Sequence, residues 1–464
     1  MKQKHLHIAL LLLFLASSLS AQVQRNAKVF TVNSTVDSVD SSAGDGACAD
    51  ASGRCTLRAA IEEVNASGRD QDAVLFALPN PSTIELTLGE ILLEGQVVII
   101  GPGADRLTIQ RSYNSGIPDF RLFHFVGGYV DVRGVTLRNG KGTTGGAIFA
   151  EHSTLALSDV VLTGNQATDG GGIYSAGGST ALTRCLFDSN TATMSGGAMF
   201  LNVGTVTPFE SSISNSTITN NYAGNFAAIV NHQKLSLVND TISHNTSAQG
   251  PSAIFNATAG TVYVLNTIVG SNPMPQFTLS GAFVSRGNNI ITDARNSTGF
   301  QDGQLNDRVG TSNSIDPLLG PLADNGGGSQ TRMLMAGSPA IDAGSNCGCG
   351  LPTGPYFDLS GDQRRRYSRQ AGDRVDIGAF ELNAGQRGTS PFSFRLQLAG
   401  SGKSGAFYAN SRVVFTDVVT GQKRYAMVTV AGTATFWDVD HNATSVIEVV
   451  SKRQVSWAVG VFPY

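Results

Sequence analysis

A short motif recurs about every 25 residues through the middle of the chain. Each copy places a β-prone run after a turn of small residues, and the same apolar position of that run falls at Ile148, Ile173, Met199, Ile229 and Ile254, at intervals of 25, 26, 30 and 25 residues. A fixed period of this length indicates a repeat architecture, in which each unit buries its apolar face only against its neighbours.

The composition of the copies excludes a helical repeat. They are rich in glycine, threonine, asparagine and serine, and contain no run of strong helix formers at helical spacing. Each copy instead holds short β-prone segments, such as residues 147–149, 154–157 and 160–162, separated by turns. Three strands and three turns make one triangular coil, and stacked coils pair strand on strand at about 4.8 Å. We therefore expect an all-β fold, a right-handed parallel β-helix.

Equivalent residues lie above one another in such a stack, so a recurrent turn asparagine can bond to the asparagine of the next coil. The sequence predicts this ladder at Asn139, Asn165, Asn190, Asn220 and Asn245, with Asn221 as the alternative to Asn220. Corners that need a positive φ or a close backbone approach suit glycine. The glycine pairs expected there are Gly145-Gly146, Gly171-Gly172 and Gly196-Gly197.

Strand patterns extend this architecture over residues 74–315, which is roughly eight or nine coils at the observed period. The preceding segment, residues 22–73, contains one helical pattern. Leu57, Ala60, Ile61 and Val64 fall at helical spacing, and Thr56 is a good N-cap. Because an open β-helix end invites edge-to-edge association, we expect this helix to cover the first coil.

The first 21 residues have the pattern of a signal peptide. Lys2 and Lys4 precede an apolar stretch, and the small residues Ser18, Ser20 and Ala21 offer a cleavage site. The alternative is a membrane anchor, but the apolar stretch is short for a span. We expect an exported protein that is secreted or held at a bacterial cell surface. Its net charge of −3 and its low charged content, 14%, give no indication of a nucleic-acid partner.

Five cysteines are consistent with export. Cys48 and Cys55 are close enough in sequence for a disulfide, and Cys185, inside a repeat strand, is expected to be a buried free thiol. Cys347 and Cys349 could form a strained disulfide, remain free or bind a metal. We rank the metal site lowest, because no neighbouring histidine or cysteine completes a ligand set.

Two motif regions that bracket residues 48–381 resemble known exported bacterial β-helix proteins. The segment from Cys55 to Ile61, Cys-Thr-Leu-Arg-Ala-Ala-Ile, is similar to the motif called CSLREA, with Thr56 in place of serine and Ala59 in place of glutamate. Residues 316–327, 337–344 and 376–381 resemble the choice-of-anchor Q domain. The resemblance implies a C-terminal cap over residues 316–383 and a surface location, and it supplies no catalytic residues.

Two further resemblances concern the coils and the C-terminus. The Gly-Gly-Ala-Ile run at residues 145–148 and the Phe-Asp-Ser-Asn run at 187–190 resemble polymorphic outer-membrane-protein repeats, which implies an adhesin-like role. After a polar linker, residues 391–464 alternate apolar and polar residues in four segments. This region is similar to a carboxypeptidase-regulatory-like module, which implies a small β-sandwich.

The solenoid's acidic residues give no pattern for catalysis. Pectin-lyase-like β-helices include polysaccharide lyases and hydrolases, and an inverting hydrolase needs two carboxyl groups about 6.5 to 9.5 Å apart. The acids considered are Asp131, Glu151, Asp159, Asp169, Asp188, Glu210 and Asp240. Asp159 and Asp240 share a phase but are separated by two or three coils. Glu151 and His152 are expected in a solvated turn, and His124 in a strand.

These patterns favour binding over catalysis. We expect an adhesin-like scaffold that contacts polysaccharides or another cell-surface ligand along its flat faces. A polysaccharide lyase or hydrolase is the second hypothesis, and a structural envelope spacer is the third. No cofactor is predicted, since the Gly-Gly-x-Gly-x-Asp repeats that signal Ca²⁺ turns are lacking.

Overall fold

The computed structural model describes residues 27–68, 71–204, 209–273, 277–311, 315–346, 362–364 and 374–382, together with six strands between residues 390 and 458. The predicted signal peptide and both Cys347 and Cys349 lie outside the described residues. The chain folds as the all-β parallel β-helix that its period predicts, and the described residues contain one α-helix. No described helix has both the length and the hydropathy to cross a membrane.

The first face of the solenoid is a stack of parallel strands that begins with Val29–Val32 and ends within one long strand, Phe277–Gly287. Its other strands are Gln71–Phe76, Gln96–Ile100, Tyr129–Arg133, Thr154–Ser158, Thr180–Thr183, Glu210–Ser214, Lys234–Val238 and Thr261–Leu265. The first strand is contributed by the segment that precedes the predicted solenoid.

The second face contains ten parallel strands. They are Ser82–Leu86, Leu107–Arg111, Thr136–Arg138, Val161–Thr163, Leu186–Asp188, Thr217–Thr219, Thr241–Ser243, Ile268–Gly270, Ile290–Ile291 and Arg308–Val309. A short sheet links this face to the third in four coils, with the strands Gln166–Asp169, Thr191–Ser195, Tyr222–Ala223 and Thr246–Ser247.

The third face carries the apolar positions that define the sequence period. Its strands are Ile91–Leu93, Phe123–Val126, Ile148–Glu151, Ile173–Ala176, Met199–Asn202, Ile229–Asn231, Pro251–Asn256 and the start of Phe277–Gly287. Ile148 pairs with Ile173, which in turn pairs with Met199, and all three are fully buried. Alternation then directs the neighbouring residues on each strand outward.

The corner between the second and third faces contains a buried asparagine ladder. Nδ2 of Asn165 donates to Oδ1 of Asn190 at 2.9 Å, and the same contact repeats from each asparagine to the next. The backbone N–H of each of the first four ladder residues donates to the same oxygen, so two hydrogen bonds join each coil to the next. The members are Asn165, Asn190, Asn221, Asn245 and Asn272.

Two predicted ladder positions, Asn139 and Asn220, lie one residue before the ladder. Both have a positive φ, 58° and 57°, which the corner requires and which asparagine tolerates better than most residues. Gly140 occupies the ladder position of its coil and donates from its backbone to Asn165 Oδ1. The side chain of Asn220 instead donates to Asp188. Only Asn221, the alternative for that coil, enters the ladder.

Two consecutive glycines make the corner before the third-face strand. Gly145 has φ of +66°, and a Cβ on Gly146 would lie 2.2 Å from the carbonyl oxygen of Gly171. In the next coil the equivalent pair is Gly170-Gly171 rather than the predicted Gly171-Gly172, since Gly170 has the positive φ.

The helix predicted near the N-terminus spans Leu57–Ser67, and Thr56 Oγ1 accepts a hydrogen bond from Ala59 N. Its apolar side packs into the core of the first coils. The Cys48–Cys55 disulfide is present, which confirms that prediction, with the two Cα atoms 5.0 Å apart. Glu63 is fully buried and accepts backbone hydrogen bonds from Gly44 and Gly46, which fastens the preceding loop to the helix.

The segment predicted as a C-terminal cap lies lengthwise on the outer side of the second face. Arg332 Nε donates to Thr219 Oγ1 at 2.8 Å, and Ala379 N donates to Thr241 Oγ1 at 3.0 Å. Ile268 and Ile290 point outward from the second face and form a small second core with this segment. The segment contains one antiparallel strand pair, Leu319–Ala323 and Thr331–Leu334.

The C-terminal region contains six strands joined in antiparallel pairs. Ser390–Arg395 pairs with Thr433–Val439. A separate four-stranded sheet contains Lys423–Met427, Arg412–Asp417, Ser445–Val450 and Val455–Ala458.

Candidate functional site

Most of the residues that the sequence singled out stabilise the solenoid itself. The asparagine ladder is buried at a corner, and the disulfide lies beside the N-terminal helix. The described residues contain no group of three or more histidine, cysteine or acidic side chains arranged to hold a metal ion. The structure instead gathers aromatic and charged side chains on the outer side of the third face.

A row of stacked rings, the aromatic stripe, runs across five coils on this outer side. It consists of His124, Phe149, Tyr174, Phe200 and His232. The first four lie in register on neighbouring strands, one position after the buried Phe123, Ile148, Ile173 and Met199. His232 follows the next strand, and its ring stacks on Phe200. All five side chains are partly exposed.

The stripe consists of two stacks that meet at an angle. The rings of His124 and Phe149 lie 4.8 Å apart at 22°, and those of Tyr174 and Phe200 lie 5.0 Å apart at 15°. Phe149 and Tyr174 meet edge to face, at 5.8 Å and 68°. Rings within a stack cover each other's faces, so the stripe offers a ridge of ring edges, interrupted where the two stacks meet.

Polar groups accompany the ridge. Asn202 Nδ2 donates to the Tyr174 hydroxyl at 3.1 Å, which holds the phenol beside an amide that is itself partly exposed. Partial burial lowers the pKa of His232, so at neutral pH this imidazole remains uncharged. The part of the stripe formed by Tyr174, Phe200 and His232 is therefore neutral.

The first end of the stripe is charged. Glu90 Oε2 accepts from Arg121 Nε at 2.8 Å, and Glu90 Oε1 lies 3.8 Å from His124 Nδ1. On the opposite side of the same imidazole, His124 Nε2 lies 3.2 Å from Glu151 Oε2. Arg121 also places its guanidinium 5.0 Å from the centre of the Phe149 ring. This charged end joins two glutamates, one arginine and one histidine from successive coils.

Large apolar side chains continue beyond the other end of the stripe. Phe255 occupies the same outward row as Phe200, and its ring stacks on Phe226 at 4.8 Å. Phe226, Tyr222 and Met194 are 40%, 42% and 47% exposed. Contiguous exposed apolar surface of this kind marks interaction sites on soluble proteins.

Sequence reasoning missed the charged end because its three acidic and histidine residues, Glu90, His124 and Glu151, lie in coils of unequal length. Glu90 precedes the third-face strand Ile91–Leu93, before the motif repeats regularly, so its alignment with Glu151 was not visible. Leu92, His124 and Phe149 pair in register, and each lies between two buried apolar residues of its strand. That alternation is visible in the sequence and could have been used to align the three coils.

The other acids considered for catalysis are mostly engaged in structural contacts. Asp131 pairs with Arg133, and Glu210 with Lys234. Asp159 pairs with Arg184 of the next coil. Asp240 is fully buried and accepts backbone hydrogen bonds from Ser216 and Val238. Burial raises the pKa of Asp169, which accepts from the backbone N–H of Ser195.

A cavity of about 160 Å³ lies where the corner between the first and second faces meets the C-terminal segment. Gly101, Pro102, Asp159, Ser329 and Arg364 are among the residues that line it. Four charged side chains line it, and each is paired: Asp159 with Arg184, Arg364 with Asp362, and Asp105 with Arg106. The cavity lies at a junction between the segment and the coils.

No protein-family model matches the chain, and no curated protein matches it by sequence. A solved structure titled "Crystal structure of pectate lyase Pel9A" is similar over 77% of this chain and 96% of its own, with 13% sequence identity and a TM-score of 0.37.

Proposed function

We propose that the chain is an exported, non-catalytic β-helix protein that binds glycans along the aromatic stripe. The observation that carries the proposal is the row of five partly exposed rings on one outer face, with carboxylates and an amide beside them. Sugar rings have apolar C–H faces edged by hydroxyls, and partly exposed aromatics next to hydrogen-bonding groups complement both.

The length of the stripe favours a polymer. Neighbouring strands in a sheet lie about 4.8 Å apart, so five successive rungs present contacts over roughly 20 Å. The rings repeat at each rung, which suits a ligand with a repeated unit better than a single small molecule. A long glycan at a cell surface or in an extracellular matrix meets this description, and it agrees with the export expected from residues 1–21.

The stacking also has a structural effect, and the experiment must separate it from binding. Aromatic pairs on neighbouring strands stabilise a sheet by about 0.2–1 kcal/mol each. Replacing Phe149 and Tyr174 together with threonine keeps strand propensity while removing two rings. Tyr263 is the matched control, since it also lies on an outward strand position, on the first face, where its ring contacts Lys234 and Arg286.

The test measures binding and product release together, with purified mature protein and a panel of plant and bacterial polysaccharides. We expect binding without cleavage, weakened about tenfold or more in Phe149→Thr/Tyr174→Thr, as loss of one to two kcal/mol of ring contact predicts. Tyr263→Thr should bind as the unaltered protein does. Equal weakening in both variants would contradict the stripe as the site.

Two other outcomes would replace the proposal. Release of oligosaccharides would support the lyase or hydrolase hypothesis and direct attention to Glu90, His124 and Glu151. Absence of binding to every polysaccharide would favour the structural spacer.

A further inference from the structure

We propose that the charged end of the aromatic stripe makes the protein selective for glycans that carry free amino groups, over polyuronates of the same length. This inference rests on the proposed glycan binding and assigns the class of glycan. It depends on which charges at that end are accessible to a ligand and which are already used within the protein.

Carboxylate groups are the more accessible charges there. The side chains of Glu90 and Glu151 are 36% and 40% exposed, whereas those of Arg121 and His124 are 18% and 20% exposed. A ligand that approaches the first end of the stripe therefore meets two carboxylates before it meets a cation. A uronate would bring a third carboxylate into this group, and like charges at close range repel.

The protein already places one cation in this environment. Arg121 lies over the Phe149 ring and pairs with Glu90, so a ring face and a carboxylate together hold a positive group. A protonated amine on a sugar offers the same charge-assisted hydrogen bond to a carboxylate. Arg121 thus shows that a carboxylate at this end of the stripe binds a cationic nitrogen.

Glu151 is the carboxylate left available. Within the described residues its side chain contacts His124 through Oε2, and it forms no ion pair with an arginine or a lysine. It extends from the end of the strand that carries Phe149, two positions further along and on the same outer side. A sugar that lies against the Phe149 and Tyr174 rings would bring a substituent within reach of Glu151.

Lys141, which follows the second-face strand Thr136–Arg138, is already paired with an acidic side chain. Lys141 Nζ lies 2.9 Å from Asp119, with which it forms an exposed ion pair. Arg121 also donates to Thr144 Oγ1, which adds a second anchor to its pairing with Glu90. The local balance of accessible charge is therefore negative.

The experiment compares three oligosaccharides of equal length by calorimetric titration: oligoglucosamine, its fully N-acetylated form and oligogalacturonate. We expect the amino form to bind at least fivefold more tightly than the acetylated form, the uronate to bind most weakly, and the amino preference to shrink as salt is added. Glu90→Gln/Glu151→Gln should lose the preference, because glutamine keeps the side-chain length and a hydrogen-bonding oxygen but removes the negative charge.

Two further variants test whether a lost preference reflects a folding defect rather than the lost charge. Glu151→Gln alone leaves the Arg121–Glu90 pair intact and should still lose part of the preference. Glu210→Gln is the matched control, since this glutamate is 42% exposed and paired with Lys234 on the first face. It should keep the full preference.

The outcomes distinguish this inference from the proposed function. Equal or tighter binding of the uronate, or an undiminished amino preference in the double variant, would overturn the selectivity while leaving glycan binding in place. If none of the three oligosaccharides binds and the polysaccharide panel is also negative, the proposed function fails, and the selectivity fails with it.

Discussion

Nδ2 of Asn190 donates to Oδ1 of Asn221 at 3.0 Å, although 31 residues separate the two in sequence. Oδ1 of Asn190 in turn accepts from both the backbone N–H and the side chain of Asn165 in the preceding coil. Each asparagine therefore satisfies buried groups of two other coils. The ladder fixes the register of the stack as well as its stability, because a slipped coil would leave these buried groups unpaired.

Replacing Asn190 with alanine should lower the free energy of unfolding by about 2–4 kcal/mol, because two donors of Asn165 lose their shared acceptor in a site without solvent. Asn114→Ala, in an exposed turn, is the control and should change stability by less than about 0.5 kcal/mol. Urea denaturation of both variants measures the difference. Similar stability of the two would show that the ladder contributes little.

Gly146→Ala should destabilise the fold by about 3 kcal/mol or prevent folding, since its Cβ would lie 2.2 Å from Gly171 O and 2.6 Å from Gln166 backbone atoms. Those contacts are backbone, which cannot move without breaking the stack. Gly95→Ala is the matched control, because its Cβ would meet nothing within 4 Å. It should be neutral or slightly stabilising, as a less flexible unfolded chain predicts. The measurement is thermal unfolding of both variants. A Gly146→Ala variant as stable as the unaltered protein would contradict the close approach of Gly146 to Gly171.

The Cys185 thiol should resist alkylation in the folded protein. Burial raises its pKa to about 12, so the reactive thiolate is scarce near neutral pH, and the side chain is fully covered. In a Cys347→Ser/Cys349→Ser background, mass spectrometry should find no label on Cys185 before denaturation and one label afterwards. Labelling at the same rate in both states would contradict the burial.

The contribution of Asp307 to the free energy of unfolding should decrease as the pH rises. Burial raises its pKa above the ordinary value of 3.8, so the folded protein holds this proton more tightly than the unfolded chain. Its favourable contribution is therefore complete below that value and is lost as pH increases through the folded-state pKa. Asp307→Asn keeps an oxygen for the Asn289 donors and should gain stability relative to the unaltered protein as the pH rises above the ordinary pKa of 3.8.

Urea unfolding at several pH values measures that gain. Asp45→Asn, in an exposed turn, controls for the removal of one negative charge and should show a flat difference. A constant offset for Asp307→Asn over the same range would contradict the prediction.

The interior of the solenoid was predictable because its residues repeat in the sequence itself. Positions such as Ile148 and Ile173 share one environment, so their spacing reports the coil length and the register directly. The ladder was predicted to within one residue, and its phase was missed at Asn139 and Asn220. In these two coils the residue with a positive φ immediately precedes the ladder position. Asparagine suits both positions, so the sequence alone does not distinguish them.

The exterior was predictable only in part, because outward residues depend on neighbours that the period does not reveal. Thr219 has the pattern of a solvent-facing strand residue, yet it is fully buried and bonded to Arg332, 113 residues later. The meeting of Glu90, His124 and Glu151 likewise depends on how three irregular coils align. Such contacts follow from tertiary packing, which local patterns do not encode.

The return of the C-terminal segment along the second face has a consequence for how the chain folds during synthesis. Coils can stack in the order in which they leave the ribosome, since each needs mainly its predecessor. The partners that cover three threonines of the second face are made later in synthesis. Thr219 is covered by Arg332, Thr217 by Gln363 and Thr241 by Ala379. The finished rod therefore includes a late closing step between distant parts of the chain, and nascent chains that end before residue 382 should expose this polar strip and the apolar Ile268 beside it.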